Sequence, residues 1–315
     1  MVRKSAILVL LLLPALAAQG PAPSAENITV TGTKSREVID NFVKSFAVPT
    51  RLTGKMARWE TPICPYAAGV QPEANDFVVK RLKEIAAEVG APVSSDPSCK
   101  FNIEIVFTRT PQALLDNIKR DQPELLGYFD SSKERDQLAA VTRPIQAWYT
   151  TATRDLRGRT EIDSSRAAGN GKGLTVIVPC NMVGDHLSAT MMCVRTNPYA
   201  RKINVTGATI ADGVRSMFDD IIVVVDPGKL TELELGAVSD YIAMLALTEL
   251  AAPGACRQLP SIADLLAEGC DGNVNALTPN DFAYLRGLYR ANSGMEAQIQ
   301  KNEIANQMER AIADK

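Results

Sequence analysis

Three observations predict a mixed α/β (α+β) fold, a sheet with flanking helices and a helical C-terminal third. Residues Phe101–Thr108 (FNIEIVFT) alternate apolar and polar with period two, as a half-buried strand does. The run IIVVVD (Ile221–Asp226) is the most strongly apolar strand in the chain, as a central strand covered on both faces would be. Beyond Thr231 the pattern changes to helical segments, the first of them apolar nearly all the way round.

The elements follow in order. Residues 19–27 are rich in Pro, Ala and Ser and read as a flexible leader, and Ile28–Gly32 reads as a short strand. Ser35–Phe46 is a helix with Ser35 as N-cap and Val38, Phe42 and Val43 as its apolar stripe. Met56–Val70 is extended and interrupted by Pro62 and Pro65. Pro72–Val89 is an amphipathic helix that buries Val78, Leu82, Ile85 and Val89 and stops at Gly90. Thr110 caps a helix running to about Arg120. Ile145–Asp155 and Leu174–Val178 are strands flanking a polar, Arg-rich hairpin. Helices are then expected at Thr231–Leu250, Ser261–Ala267 and Thr278–Ala291. The domain organisation is one α/β domain over residues 28–295, followed by an amphipathic C-terminal helix in 296–315.

The first 18 residues join a basic head (Arg3, Lys4), an apolar run from Ala6 to Leu13 and a small-residue exit near Ala17–Ala18, which reads as a secretory signal peptide. The run is shorter than the ~20 residues a membrane span needs, and Pro14 breaks it. Removing residues 1–18 from a chain with 34 basic and 36 acidic residues leaves 32 against 36, a net charge of −4. That balance argues against nucleic acid or an anionic lipid surface as partner. The six cysteines, an even count in an exported chain, argue for disulfides. The expected pairing is Cys64–Cys99, Cys180–Cys193 and Cys256–Cys270, the last two closing short local loops. A thiolate metal site would want a CxxC pair, which is absent.

Several stretches imitate functional motifs. GNGKG (Gly169–Gly173) lacks the spacing of a phosphate loop, since Lys172 precedes Gly173, and it reads as a turn. Asp271, Asn273 and Asn275 open like a calcium loop, but Ala276 and Phe282 stand where Gly and a bidentate Glu belong. Thr278 is therefore read as a helix N-cap. The sequons at Asn27 and Asn204 bear on function only in a eukaryotic secretory pathway. Arg154, Arg157, Arg159 and Arg166, interleaved with Asp155, Glu161 and Asp163, read as a solvated hairpin face. His186 is the one histidine, and no GxSxG elbow accompanies it.

VIDNFVKSF followed by ARWETPICP, and later IIVVVD, SDYIAMLALTEL, Pro260-Ser261-Ile262, and Leu277-Thr278 with Asp281, Leu285, Arg286, Leu288 and Tyr289, then Gly294-Met295, resemble a zincin-like family of small bacterial proteins of unknown function. The resemblance lies in the order of elements. It implies a zincin-like domain in which the Thr231–Leu250 helix takes the place of the metalloprotease active-site helix. That site uses two His one helical turn apart and a Glu base. The corresponding helix has no His, so neither metal nor cofactor is expected.

These readings converge on an exported protein, periplasmic or secreted, with no membrane span. Its expected role is non-catalytic: a zincin-like binding or structural protein whose partner is an envelope protein or a peptide at the edge of its sheet. The alternative is a metal-independent hydrolase with Asp226, at the end of the best strand, and Asp240, inside the apolar helix, as its acid/base pair. A carboxylate such as Asp240 is otherwise expected to pair with an arginine, Arg286 being one choice, or to cap backbone.

Overall fold

The computed structural model describes residues 32–163, 174–179, 192–197, 212–250, 256–267, 269–270 and 274–313. The fold is mixed α/β. Its elements are α1 (Gly32–Phe46), β1 (Pro65–Ala68), α2 (Pro72–Val89), β2 (Ile103–Phe107), α3 (Pro111–Asp121), α4 (Ser132–Leu138), β3 (Ile145–Arg154) and β4 (Thr160–Ile162). They continue with β5 (Leu174–Pro179), β6 (Met192–Asn197), β7 (Arg215–Val225), α5 (Leu235–Leu247), α6 (Pro279–Arg290) and α7 (Ala297–Ala313). Short 3₁₀ turns occupy Pro123–Leu126, Pro227–Lys229 and Ile262–Asp264.

Five strands form one sheet in the order β1-β2-β7-β3-β4. β1, β2 and β7 run parallel, whereas β3 is antiparallel to both β7 and β4. The apolar run expected at the centre is β7, and it is covered on both sides. Ile221, Val223 and Val225 join Ile103, Ile105, Phe107 and Ile145 against α1, α2, α5, α6 and α7. Ile222, Val224 and Trp148 point the other way, toward Leu115 of α3, Leu126 and Ala139. Two-sided burial is why every position from Ile221 to Val225 is apolar. α7 belongs to the larger core through Ile304, Ala305 and Met308.

Local chemistry explains the boundaries. α2 begins with Pro72 and ends at Gly90, whose φ of 86° suits a residue without Cβ. Thr278 and Asp281 form a reciprocal capping box that starts α6, as the N-cap reading of Thr278 required. Cys64, which precedes β1, is bridged to Cys99, which precedes β2, with 6.0 Å between Cα atoms. The bridge therefore ties together the entrances of two adjacent parallel strands. Cys256–Cys270 is also formed, with 5.4 Å between Cα atoms. Cys180 lies outside the described residues, and so does the pairing expected for it with Cys193.

Some boundaries differ from the sequence reading. α1 begins at Gly32, so Gly32 is not part of a strand and Ser35 lies within the helix rather than capping it; residues 28–31 lie outside the described residues. Its buried stripe is Ile39, Phe42, Val43 and Phe46, with Val38 only half-buried. Thr110 stands at the N-cap of α3 but accepts no capping hydrogen bond through its side chain. β3 and β5 do not flank one hairpin: β3 turns back onto β4 through Asp155–Arg159, and β5 pairs with β6 in a separate two-stranded sheet. Asp163 is buried rather than solvated, because it accepts hydrogen bonds from Thr151 (2.9 Å) and Thr153 (2.8 Å). The expected helix Ser261–Ala267 shrinks to one 3₁₀ turn, since the chain leaves through Gly269 (φ 75°) into the Cys270 bridge. The helix expected to run to Leu250 ends at Leu247. Thr248 is extended (φ −152°, ψ 146°) and its hydroxyl hydrogen-bonds the Tyr284 phenol at 3.2 Å.

Candidate functional site

α5 is buried from Ala237 to Leu247 between the sheet, α2 and the Ile262–Asp264 turn. The polar residues that interrupt it are satisfied locally. The Ser239 hydroxyl donates to the Leu235 carbonyl at 2.6 Å. Asp240, 2% exposed, accepts two bonds from Arg81 of α2: Nε to Oδ1 at 2.6 Å and Nη2 to Oδ2 at 2.9 Å. It accepts a third from the Leu277 backbone N–H at 2.8 Å. Its cation is therefore Arg81 and not Arg286, which pairs instead with Glu88 at 2.7 Å. The Asp240 pair raises the already high Arg81 pKa.

Asp226 stands at the C-terminal end of β7. Its carboxylate accepts the Gly228 N–H at 3.1 Å, starting the 3₁₀ turn, with Lys229 at 3.8 Å. The two carboxylates thus serve separate networks with no partner in common: one clasps α5 to α2 and the other caps a turn. His186, Gly169–Gly173 and Arg166 lie outside the described residues. Arg159 pairs with Glu161 at 3.0 Å, in keeping with a charged hairpin face. Among the described residues no group of three or more His, Cys, Asp and Glu side chains is placed to hold a metal ion.

A different group of residues forms a cleft at the other end of α5. The early stop at Leu247 leaves Glu249 and Leu250 in its wall. The cleft has a volume of about 650 Å³ and follows β3 at Gln146–Tyr149. Those positions of β3 pair with β7, and β4 pairs only with Ala152–Arg154. Among the described residues no strand pairs with the other side of Gln146–Tyr149.

The walls are held firmly. Arg51 bridges Asp130 (2.7 Å) and Glu134 (2.9 Å) and lies over the Tyr128 ring, 5.5 Å from its centre. The Trp148 indole donates to the Leu138 carbonyl at 2.6 Å, and the Tyr149 hydroxyl to the Leu245 carbonyl at 3.1 Å. Gly127 lets the chain approach β3: its φ of 91° and ψ of −166° are open essentially to glycine alone. A Cβ there would stand 2.6 Å from the Tyr149 carbonyl oxygen.

Glu249 and Arg143 differ from the other charged residues of the cleft in making no hydrogen bond or ion pair with any described residue, and burial pushes the Glu249 carboxyl up to about 7. The same end of the cleft holds Tyr149, whose phenol is raised well above its usual range by burial, then by the negative charge of Glu249, with Arg143 opposing. A second perturbed carboxyl lies elsewhere. Asp220 is raised to about 7 by burial and by the nearby negative charges of Glu104 and Asp219, against the pull of Lys100.

Comparison of the chain with protein-family models, with curated proteins and with solved structures gives no match. The zincin-like resemblance accordingly stands on the residues quoted for it. The residues that define the cleft were not among those the sequence singled out. The available signal was Glu249, a charged residue interrupting the apolar run SDYIAMLALTEL. A charged residue closing a fully buried helix either has a partner or faces a cavity.

Proposed function

We propose that this chain is an exported protein of the cell envelope, periplasmic or secreted, that binds a peptide non-catalytically in the cleft beside β3. The observation that carries the reading is the cleft itself. It is large enough for a few residues, walled by Trp148, Tyr149 and Tyr128, and it runs along a stretch of β3 left without a second partner strand among the described residues. An extended peptide laid there would gain main-chain hydrogen bonds from the sheet and side-chain contacts from the walls. The two disulfides are compatible with export, and no helix of the described residues is long and apolar enough to cross a membrane. The zincin-like order of elements belongs to this proposal as a scaffold without transferred chemistry. The hydrolase alternative is weaker, because Asp240 and Asp226 are each committed to structural hydrogen bonds.

The test is selection of peptides from a displayed library on the purified protein, followed by amide-shift mapping of the bound peptides. Shifts centred on Gln146–Tyr149 and Leu250 are expected. Binding confined to other surfaces would overturn the reading, and cleavage of the bound peptides, read by mass spectrometry, would favour the hydrolase.

A further inference from the structure

Burying a carboxyl without a partner is costly, so an unpartnered one in a cavity wall points to a group that arrives from outside. Half-buried and without a partner among the described residues, Glu249 meets that description, standing in the wall of the cleft just past the end of α5, buried from Ala237 to Leu247. Of the charged groups around it in the lining, all but Arg143 have partners among the described residues. Arg51 and Glu134 neutralise each other across the cleft, with Asp130 as the second partner of Arg51. The Tyr149 phenol is engaged with the Leu245 carbonyl. Arg143, also in the lining, forms no ion pair with Glu249.

Building on the peptide-binding reading above, we propose that the cleft selects peptides carrying a basic side chain, whose cationic head pairs with the Glu249 carboxylate. The ring of Tyr149, on the side of the cleft that holds Glu249, would hold the apolar stem of that side chain, since lysine and arginine bury their methylenes while presenting a charged tip. A cation in this position supplies a partner that Glu249 does not have among the described residues. Binding is then linked to protonation. A carboxyl that titrates near 7 when the cleft is empty must lose its proton to form the pair. About nine-tenths of the molecules are protonated at pH 6 and about one-tenth at pH 8, so affinity should rise roughly tenfold between those values.

The test uses three capped tripeptides, acetyl-Ala-Lys-Ala-amide and its norleucine and glutamate counterparts, titrated against the ¹⁵N-labelled protein. The expected result is that the lysine peptide shifts the amides of Tyr149, Glu249 and Leu250, binds roughly tenfold more weakly at pH 6 than at pH 8, and loses that preference in Glu249→Gln. The glutamine variant removes a buried charge and keeps the shape, so circular dichroism should match the parent protein. If the norleucine or glutamate peptide binds the cleft as well as the lysine peptide, or if Glu249→Gln binds the lysine peptide unchanged, cation selection is wrong and the peptide site stands. Stronger binding at pH 6 would mean that a neutral carboxyl donates to the ligand, which also overturns the proposal. If none of the three perturbs the cleft, the peptide-binding reading falls with it.

Discussion

The clasp between α2 and α5 yields a prediction whose sign depends on whether Arg81 is present. Asp240 has three hydrogen-bond donors pointed at two oxygens: Arg81 Nε at Oδ1, and Arg81 Nη2 together with Leu277 N–H at Oδ2. Asn has one oxygen and one NH₂ group at those positions. Either orientation of the amide sets a donor against a donor, and the carboxylate charge that balanced Arg81 is gone. Hydrogen bonds to a charged group contribute about 1.5–3 kcal/mol each, and Arg81 is about one-third exposed and can turn partly toward water. Asp240→Asn should therefore cost roughly 2–4 kcal/mol. Arg81→Ala should cost about 3–5 kcal/mol, because it strands a carboxylate that is 2% exposed with one backbone N–H for company. In the Arg81→Ala background the same Asp240→Asn change should restore stability, since a neutral amide is cheaper to bury than an unpaired charge. Urea unfolding of the parent, both single variants and the double variant closes the cycle. The Arg81→Ala deficit should also shrink as pH falls from 7 toward 4: the stranded carboxyl takes up a proton in the native state at a higher pH than in the unfolded chain, so stability falls as pH rises. An Asp240→Asn variant as stable as the parent with Arg81 present, or one equally damaging without it, would refute the clasp.

Three further outcomes are expected. Gly127→Ala should lower stability by about 1–3 kcal/mol in thermal or urea unfolding, because its backbone conformation excludes a side chain and its Cβ would meet the Tyr149 carbonyl at 2.6 Å; an unchanged midpoint would show that the loop is free to move away. Replacing Cys64 and Cys99 together by Ser should cost about 3–4 kcal/mol by the chain-entropy argument for a separation of 35 residues, and an unaffected midpoint would mean the bridge contributes nothing beyond native packing. Asp220 gives a pH signature: its carboxyl, raised to about 7 in the folded protein, holds a proton that the unfolded chain releases near pH 4, so this group makes the parent lose stability as pH climbs from about 4 to 7. Asp220→Asn should flatten that slope and be the more stable protein at pH 8, with no advantage at pH 4, and a parallel pair of stability-against-pH curves would refute it.

The sheet and most helices were legible because period and punctuation agree with packing. The alternation in Phe101–Thr108 and the unbroken apolar run Ile221–Val225 of β7 state directly which strands have one or two buried faces, and the Pro72 and Gly90 boundaries of α2 are written in residue types with fixed conformational preferences. Legibility failed where long-range contacts decide. Nothing local in Thr248 announces that its hydroxyl will meet Tyr284, 36 residues later, as the helix gives way to extended chain. Nothing local in Asp240 distinguishes Arg81 from Arg286 as its cation, since both lie on helices that face the same core.

The same limit explains why the sequence singled out Asp226 and Asp240 rather than Glu249. Asp226 and Asp240 attracted attention because each interrupts or ends an apolar run, and that expectation of burial was correct, since they are 8% and 2% exposed. Burial alone does not separate a structural carboxylate from a functional one. The difference is whether the fold supplies the donors, and here α2, the backbone at Leu277 and the turn at Gly228 supply them. Glu249 is half-buried, has no such donor among the described residues, and lines the cleft of about 650 Å³. Whether a carboxylate is given donors is a property of the assembled surroundings that single-residue pattern cannot express. Neutralising each of the three carboxylates in turn should therefore separate them: Asp240→Asn and Asp226→Asn should lower stability, while Glu249→Gln should leave it unchanged or raise it above pH 7, where the parent must keep an unpaired charge buried. A Glu249→Gln protein destabilised at pH 8 as much as Asp240→Asn would place Glu249 among the structural groups.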